Sequence, residues 1–295
     1  MDYYFEIAEH YIKISQLDGN IPLLSLLPSF QPFLCDVVSD EELLFSFTID
    51  NHLKAVDKSR RHPIRTFDTG NGDTVVDKLS DGGYQYVVKN INRDACALLI
   101  CDKDFRTCSC ALNGSLNMQS FGLNNALMLT MAFAGSKRDT VLIHASLVRN
   151  NNYGYAFIAK SGTGKSTHVS LWLRFIPDCD LMNDDNPIIR LINGTPYIYG
   201  SPWSGKTPCY RKVKARLGAI TQIARARENS IERLSVVNAF ATLLPSCSSM
   251  KWDADIFNHI CSIVSDIMAK TPIYTLHCRA DRHAAELCHQ TIATE

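Results

Sequence analysis

Ser161-Gly-Thr-Gly-Lys-Ser-Thr167 brings together the residue types needed to hold a polyphosphate. Small residues let the backbone turn tightly enough to aim several N–H groups at phosphate oxygens. Lys165 supplies a cation for the outer phosphates, and Ser166 offers a hydroxyl to Mg²⁺. The helix that follows points its positive end the same way. Ser161, Gly162, Thr163, Gly164, Lys165, Ser166 and Thr167 are therefore the candidate nucleotide-binding residues, with ATP and Mg²⁺ as ligands. Ala159 stands where the usual pattern begins with glycine. Nineteen residues after Lys165 (184 − 165) come Asp184 and Asp185 at the end of an apolar run, where paired carboxylates suit Mg²⁺ binding and positioning of a nucleophile. His144 lies in the run 139–148, and the loop-like segment 200–211 carries Ser204, Lys206 and Arg211, donors able to clamp a transferring phosphoryl group.

These residues need elements to deliver them. Tyr153 to Ile158 has strand character, Thr167 to Phe175 has helical spacing, and Pro177 stops it, so strand, tight turn and helix follow in the order a phosphate site requires. The run 180–186 reads as a strand, and parallel strands joined by the intervening helix would bring Asp184 and Asp185 to the loop's edge of the sheet. Residues 139–148 read as one strand that turns back at Asn150 to Asn152, and Asn193-Gly194 marks a hairpin. Trp203 reads as an exposed loop residue. Beyond Leu217 to Ile223, another strand, the stretch 224–232 is polar, and Arg225, Arg227 and Arg233 read as a solvated face. Ser235, Asp253 and Asp281 are placed to cap three helices, and Ile273 to Cys278 reads as a last strand.

A chain of 295 residues has room for two unequal parts and a sizeable core. Residues 1–120 read as a β-rich domain of antiparallel meander type, with turn signals at Asp18-Gly19, Gly70 to Asp73 and Asp81 to Gly83. The basic residues Lys58, Arg60, Arg61 and Arg65 beside His62-Pro63 read as a solvated loop. Phe121 to Ala134 forms a helix apolar on most sides, ended by Gly135, and is expected to join the parts. Residues 121–295 form the catalytic domain. The 30 basic and 30 acidic residues cancel, so no global field favours nucleic acid or an anionic membrane. With no apolar run of membrane length and no signal-peptide pattern at the start, the expected location is the cytoplasm. Eleven scattered cysteines then read as reduced core thiols, and the spacing of Cys96, Cys101, Cys108 and Cys110 is not a zinc pattern.

In combination, Ile143-His-Ala-Ser146, Phe157 to Thr167 and Asn183-Asp-Asp185 resemble the catalytic domain of HPr kinase/phosphorylase and its relative, ATP-dependent phosphoenolpyruvate carboxykinase. The resemblance covers residues 139–210 by motif. It implies an α/β fold with a mixed sheet. It further implies that Asp184 activates the accepting hydroxyl, that His144 sits beside it near the γ-phosphate, and that Asp185 holds Mg²⁺ together with Ser166. Lys206 and Arg211 take the clamp role. The Glu-x-Arg-Gly-Leu-Gly signature of HPr kinases is replaced by Pro202-Trp-Ser-Gly-Lys206.

The expected activity is Mg²⁺-dependent transfer of the γ-phosphoryl of ATP to a hydroxyl, of serine or threonine in a peptide or small protein, or of a small molecule. A carboxykinase-like lyase and a non-catalytic nucleotide-sensing module are the alternatives. Relatives of this type commonly assemble, so a homo-oligomer is expected.

Overall fold

The computed structural model describes residues 1–17, 21–68, 71–205 and 207–293. The turn expectations at Asp18-Gly19 and Gly70, and the clamp expectation at Lys206, lie outside the described residues. The chain is α/β and mostly strand, with two mixed sheets, and divides into two compact units, Met1–Gly135 and Ser136–Glu295.

In the first unit, β1 (Asp2–Ile7) and β2 (His10–Gln16) form a hairpin, followed by the short α1 (Leu23–Leu26) and β3 (Leu43–Ile49). Then come β4 (Arg61–Asp68), β5 (Asp73–Leu79), β6 (Tyr84–Lys89), β7 (Ala95–Cys101), β8 (Thr107–Leu112) and α2 (Leu116–Ser136). The order β1-β2-β3-β8-β7-β6-β5-β4 is a meander only from β4 to β8, since β3 pairs parallel with both β2 and β8. Arg61 and Arg65 belong to the edge strand β4, where Arg61 pairs with the buried Asp77, rather than to a loop. α2 packs within this unit: Ser120 donates to the Leu26 carbonyl, and Phe133 meets Phe105 edge-on. The helix expected to open the second part thus closes the first, and the division falls at Gly135 rather than residue 120. Cys96, Cys101, Cys108 and Cys110 are buried free thiols.

The second unit begins with β9 (Thr140–Leu142), β10 (Ala145–Asn150), β11 (Tyr153–Ile158), α3 (Lys165–Phe175) and β12 (Cys179–Asp185). β13 (Ile188–Ile192), β14 (Thr195–Tyr199), β15 (Lys214–Arg225) and β16 (Ser230–Arg233) follow. α4 (Val236–Leu243), α5 (Ala254–Lys270), β17 (Ile273–Cys278) and α6 (Arg282–Ile292) complete it. The nine strands make one sheet ordered β12-β10-β11-β15-β14-β13-β9, with β17 on β15 and β16 on β17. Asn151-Asn152 and Asn193-Gly194 all take positive φ, the backbone that two-residue hairpin turns require. Ser235, Asp253 and Asp281 cap their helices by accepting backbone N–H bonds.

The expected strand 139–148 is two strands. β9 pairs with β13, and β10 lies between β11 and β12, so Ile143 and His144 sit where the chain crosses from one side of the sheet to the other. β11 and β12, expected as parallel strands joined by the intervening helix, are separated in the sheet by β10. Both neighbours run antiparallel to β10 and so parallel to each other, which still leaves their C-terminal ends at one edge. No helix among the described residues is long and apolar enough to cross a membrane.

Candidate functional site

The glycine-rich loop leaves β11 and turns at once, with the Thr163 N–H donating to the Lys160 carbonyl at 3.1 Å. Gly162 and Gly164 take φ of +76° and +127°, conformations that side chains resist, so the loop shape depends on both. Gly164 then serves as N-cap of α3, and Lys165 is the first residue of the helix. What holds α3 against the sheet is apolar: Trp172 is fully buried and packs on Tyr155 and Phe157 of β11. Its indole N–H donates to His168 Nε2 at 3.0 Å, and burial pushes the His168 pKa down to about 4, so that ring stays neutral and accepting.

The carboxylates are aimed by Asn183. Its buried side chain accepts from the N–H groups of Asp185 and Asn186, and donates to Ser201 Oγ and the Trp203 carbonyl. This one amide both ends β12 and ties it to the 201–205 segment. Gly205 donates to the Asp184 carbonyl at 2.7 Å, and a Cβ there would lie 2.7 Å from that oxygen, so the close approach requires glycine. Trp203 is 6 % exposed, against the expectation of a solvent-facing tryptophan; its carbonyl is one of the anchors of Asn183.

Asp184 is only 5 % exposed, and its Oδ1 accepts two hydroxyl bonds, from Ser146 at 2.5 Å and Ser166 at 2.9 Å. Ser166 therefore hydrogen-bonds to Asp184, whereas the resemblance implied a shared Mg²⁺ between Ser166 and Asp185. The reason lies in register: Ser146 of β10 stands directly opposite Asp184, so the two share a face that also meets the start of α3. Asp185 is more open, with a side chain 39 % exposed, and its Oδ1 lies 3.4 Å from His144 Nε2.

His144 is fixed from both flanks. Its N–H donates to the Ser246 carbonyl and that of Ile143 to the Pro187 carbonyl, so the crossing segment is laced to chain on either side. Lys165 Nζ lies 2.9 Å from His144 Nε2 and 3.3 Å from the Ala159 carbonyl. A lysine ammonium has only protons to give, so Nε2 accepts and the imidazole is neutral. Burial lowers the His144 pKa and the neighbouring Lys165 charge lowers it further, which agrees with the geometry. The His144–Asp185 approach is then not an ion pair near neutral pH. Burial lowers the Lys165 pKa and raises that of Asp185, with the opposite charges of the cluster partly offsetting both.

Lys165, Ser166, His144, Asp184 and Asp185 thus meet at one sheet edge, with Ser161 to Thr163 in the adjoining turn and Thr167 exposed in the first turn of α3. Arg211 does not join them. Its guanidinium donates to Asp180 Oδ2 and to the Leu181 carbonyl, and Asp180 also takes two bonds from Arg149 at 2.9 Å each. Arg149 opposes Asp180 while Ser146 opposes Asp184. Residues three apart on β10 point to opposite faces, so the irregularity between Leu147 and Val148 puts Asp180 and Asp184 on different sides of the sheet.

Arg225, assigned from sequence to a solvated face, instead reaches the loop: Nε donates to the Thr163 carbonyl at 2.9 Å and Nη2 to the Gly162 carbonyl at 2.6 Å. No local signal could have found it, because the contact spans 62 residues and depends on the parallel pairing of β11 with β15. No family model matches the chain, and no curated protein matches it significantly.

Proposed function

We propose that the chain is a Mg²⁺-dependent phosphotransferase of the HPr kinase/phosphoenolpyruvate carboxykinase type, moving the γ-phosphoryl of ATP to a serine or threonine hydroxyl. The observation supporting this most directly is the convergence of Lys165, His144, Ser166 and two carboxylates beside a turn built on positive-φ glycines.

The donor set suits Mg²⁺. Ser166 Oγ and the Asp184 carboxylate are hard oxygens already in contact, and an ion that keeps several waters and takes phosphate oxygens needs no larger protein cage. Bound there, Mg²⁺ would neutralise charge on the outer phosphates. The roles of the chain's own residues follow from their partners. Lys165 exchanges His144 for a phosphate oxygen, which frees Nε2 of a neutral imidazole. Asp185 is the more accessible carboxylate, burial raises its affinity for protons, and it takes the proton of the attacking hydroxyl. The hydroxyl oxygen bonds to the γ-phosphorus as the bond to the bridging oxygen breaks, and ADP carries that electron pair away. Asp184, held on Oδ1 by Ser146 and Ser166, stays on the metal side. This exchanges the roles the resemblance implied for the two aspartates.

Nucleotide binding by calorimetry and transfer from labelled ATP separate the assignments. Asp185→Asn is expected to bind Mg·ATP with transfer lowered about 10²- to 10⁴-fold, and Asp184→Asn to lose Mg²⁺-dependent affinity. The reverse pattern restores the base role to Asp184, and absence of Lys165-dependent nucleotide binding overturns the reading.

A further inference from the structure

A cleft of about 540 Å³ opens beside the glycine-rich loop, within the size range of sites that enclose a small ligand. Its place relative to a bound polyphosphate follows from Lys165, whose ammonium marks the outer-phosphate end. The two contacts of that ammonium, His144 Nε2 and the Ala159 carbonyl, belong to cleft-lining residues, and the His144 ring forms part of the wall. The cleft therefore meets the transferable phosphoryl, and its occupant is the acceptor rather than the nucleoside.

Two elements supply most of its polar lining. On the sheet, Gln222 of β15 stands in register with Thr275 of β17 and accepts its hydroxyl on Oε1 at 3.4 Å. On the helical side, Asn238, Ala241, Thr242 and Pro245 follow at the spacing i, i+3, i+4, i+7 and so share one face, the one that lines the cleft. Among the described residues, the amide N–H group of Gln222, the carboxamide of Asn238 and the hydroxyl of Thr242 make no hydrogen bond. Their hydrogen-bonding capacity converges on one hollow and is not spent on the fold.

The kind of capacity narrows the occupant. No carboxylate lines the cleft among the described residues. A carboxamide presents a donor and an acceptor side by side, the complement of the N–H and C=O of a peptide group. Ile158, Leu234 and the Ala241 methyl lie among these amides, which suits Cα atoms and short side chains better than a row of hydroxyls.

We propose that this cleft is the acceptor site and that Gln222 and Asn238 bind the backbone of a peptide whose serine or threonine reaches His144. The proposal rests on the phosphotransfer reading above and adds to it a substrate class and two acceptor-binding residues.

The test uses the full chain, Mg²⁺ and labelled ATP with a pool of random peptides, each holding one fixed serine. Peptides should be labelled, and with one chosen from the pool Gln222→Ala and Asn238→Ala should each raise KM about two- to tenfold, the loss expected for one neutral hydrogen bond, with little change in kcat. Methylating the peptide's backbone nitrogens one at a time should raise KM at a position near the serine in the wild type, and by less in whichever variant lacks the partner amide. Ala241→Phe, which fills the cleft, should abolish labelling of that peptide while Mg·ATP affinity by calorimetry stays at the wild-type value. Ala241 is exposed, so this variant is expected to fold, and its melting curve checks this. Labelling of glycerol or ribose in place of any peptide, or KM values unmoved by both amide substitutions, would overturn the proposal. So would loss of nucleotide affinity in folded Ala241→Phe, which would give the cleft to the nucleoside. Failure of the wild type to bind nucleotide would instead sink the phosphotransfer reading beneath it.

Discussion

The two ends of β12 carry the same residue type and do opposite things with it. At the N-terminal end Asp180 is closed: Arg149 grips it with two bonds and Arg211 adds a third. Burial alone would raise its pKa, but the hydrogen bonds and charges of both arginines hold it below the usual carboxylate range. At the C-terminal end, Asp184 and Asp185 face hydroxyls, a neutral imidazole and a lysine whose charge is disfavoured by burial. Arginine holds its proton at any ordinary pH and presents a rigid fork, so the first arrangement is static. Lysine and histidine exchange partners and protons readily, so the second can accept a ligand. Charge pairing at one end is structural and at the other is available for chemistry.

The contrast is broken most severely by changes at the C-terminal end. Lys165→Ala is expected to weaken Mg·ATP binding by at least about 10²-fold, the loss typical when one preorganised donor to a phosphate or oxyanion is removed, as calorimetry will measure. Asp185→Asn should lower transfer about 10²- to 10⁴-fold, the range for loss of a general base, at nearly unchanged nucleotide affinity. Equal losses in binding from both substitutions would make the two aspartates one metal site and erase the distinction between them.

A buried histidine in α3 gives an effect of intermediate size. His168 is buried on the sheet-facing side of α3, and its folded pKa of about 4 lies below the unfolded value of about 6.5. Because the unfolded chain binds the proton first, stability falls as pH drops from 7 toward 4, by up to about 3 kcal/mol. Denaturant titrations across that range should show the slope in the wild type and a smaller one in His168→Gln, whose side-chain oxygen can still accept from Trp172. Arg225→Ala ranks next, with nucleotide affinity expected to fall about tenfold or less, since an exposed guanidinium bound to neutral carbonyls contributes modestly.

Local order was well encoded in the sequence, and lateral order was not. Asn193-Gly194, the caps Ser235, Asp253 and Asp281, and the strand–turn–helix around Lys165 were readable because each depends on residues a few positions apart. The insertion of β10 between β11 and β12, the parallel pairings of β3 and the placement of α2 were not, because neighbours across a sheet leave no mark on spacing along the chain. Site residues followed the same division. Lys165, Ser166, His144 and the aspartate pair were found by type and order. Ser146 and Arg225 act through contacts spanning 38 and 63 residues and needed the fold, as did the bond from Asn183 to Ser201, although the bonds Asn183 accepts from Asp185 and Asn186 are local. Arg211 misled for a related reason: its charge suits a phosphoryl group, but a one-residue irregularity in β12 turns its partner Asp180 to the other face.

Arg211 also supplies the smallest expected effect and the sharpest check on the contrast. Its partner Asp180 is 35 % exposed, so solvent screening limits the pair, and Arg211→Met should cost only about 1 kcal/mol in denaturant unfolding. The pH window has a definite sign. Asp180 has a lowered folded pKa, so its contribution is present above the unfolded value of about 3.9 and fades as pH falls below it. The difference between wild type and Arg211→Met should therefore shrink below about pH 4, clear of the window that belongs to His168. Nucleotide affinity and transfer by Arg211→Met at neutral pH should match the wild type. A folded Arg211→Met protein that had lost transfer would mean that this guanidinium leaves Asp180 for the phosphoryl group during turnover, and the two ends of β12 would then form one working unit.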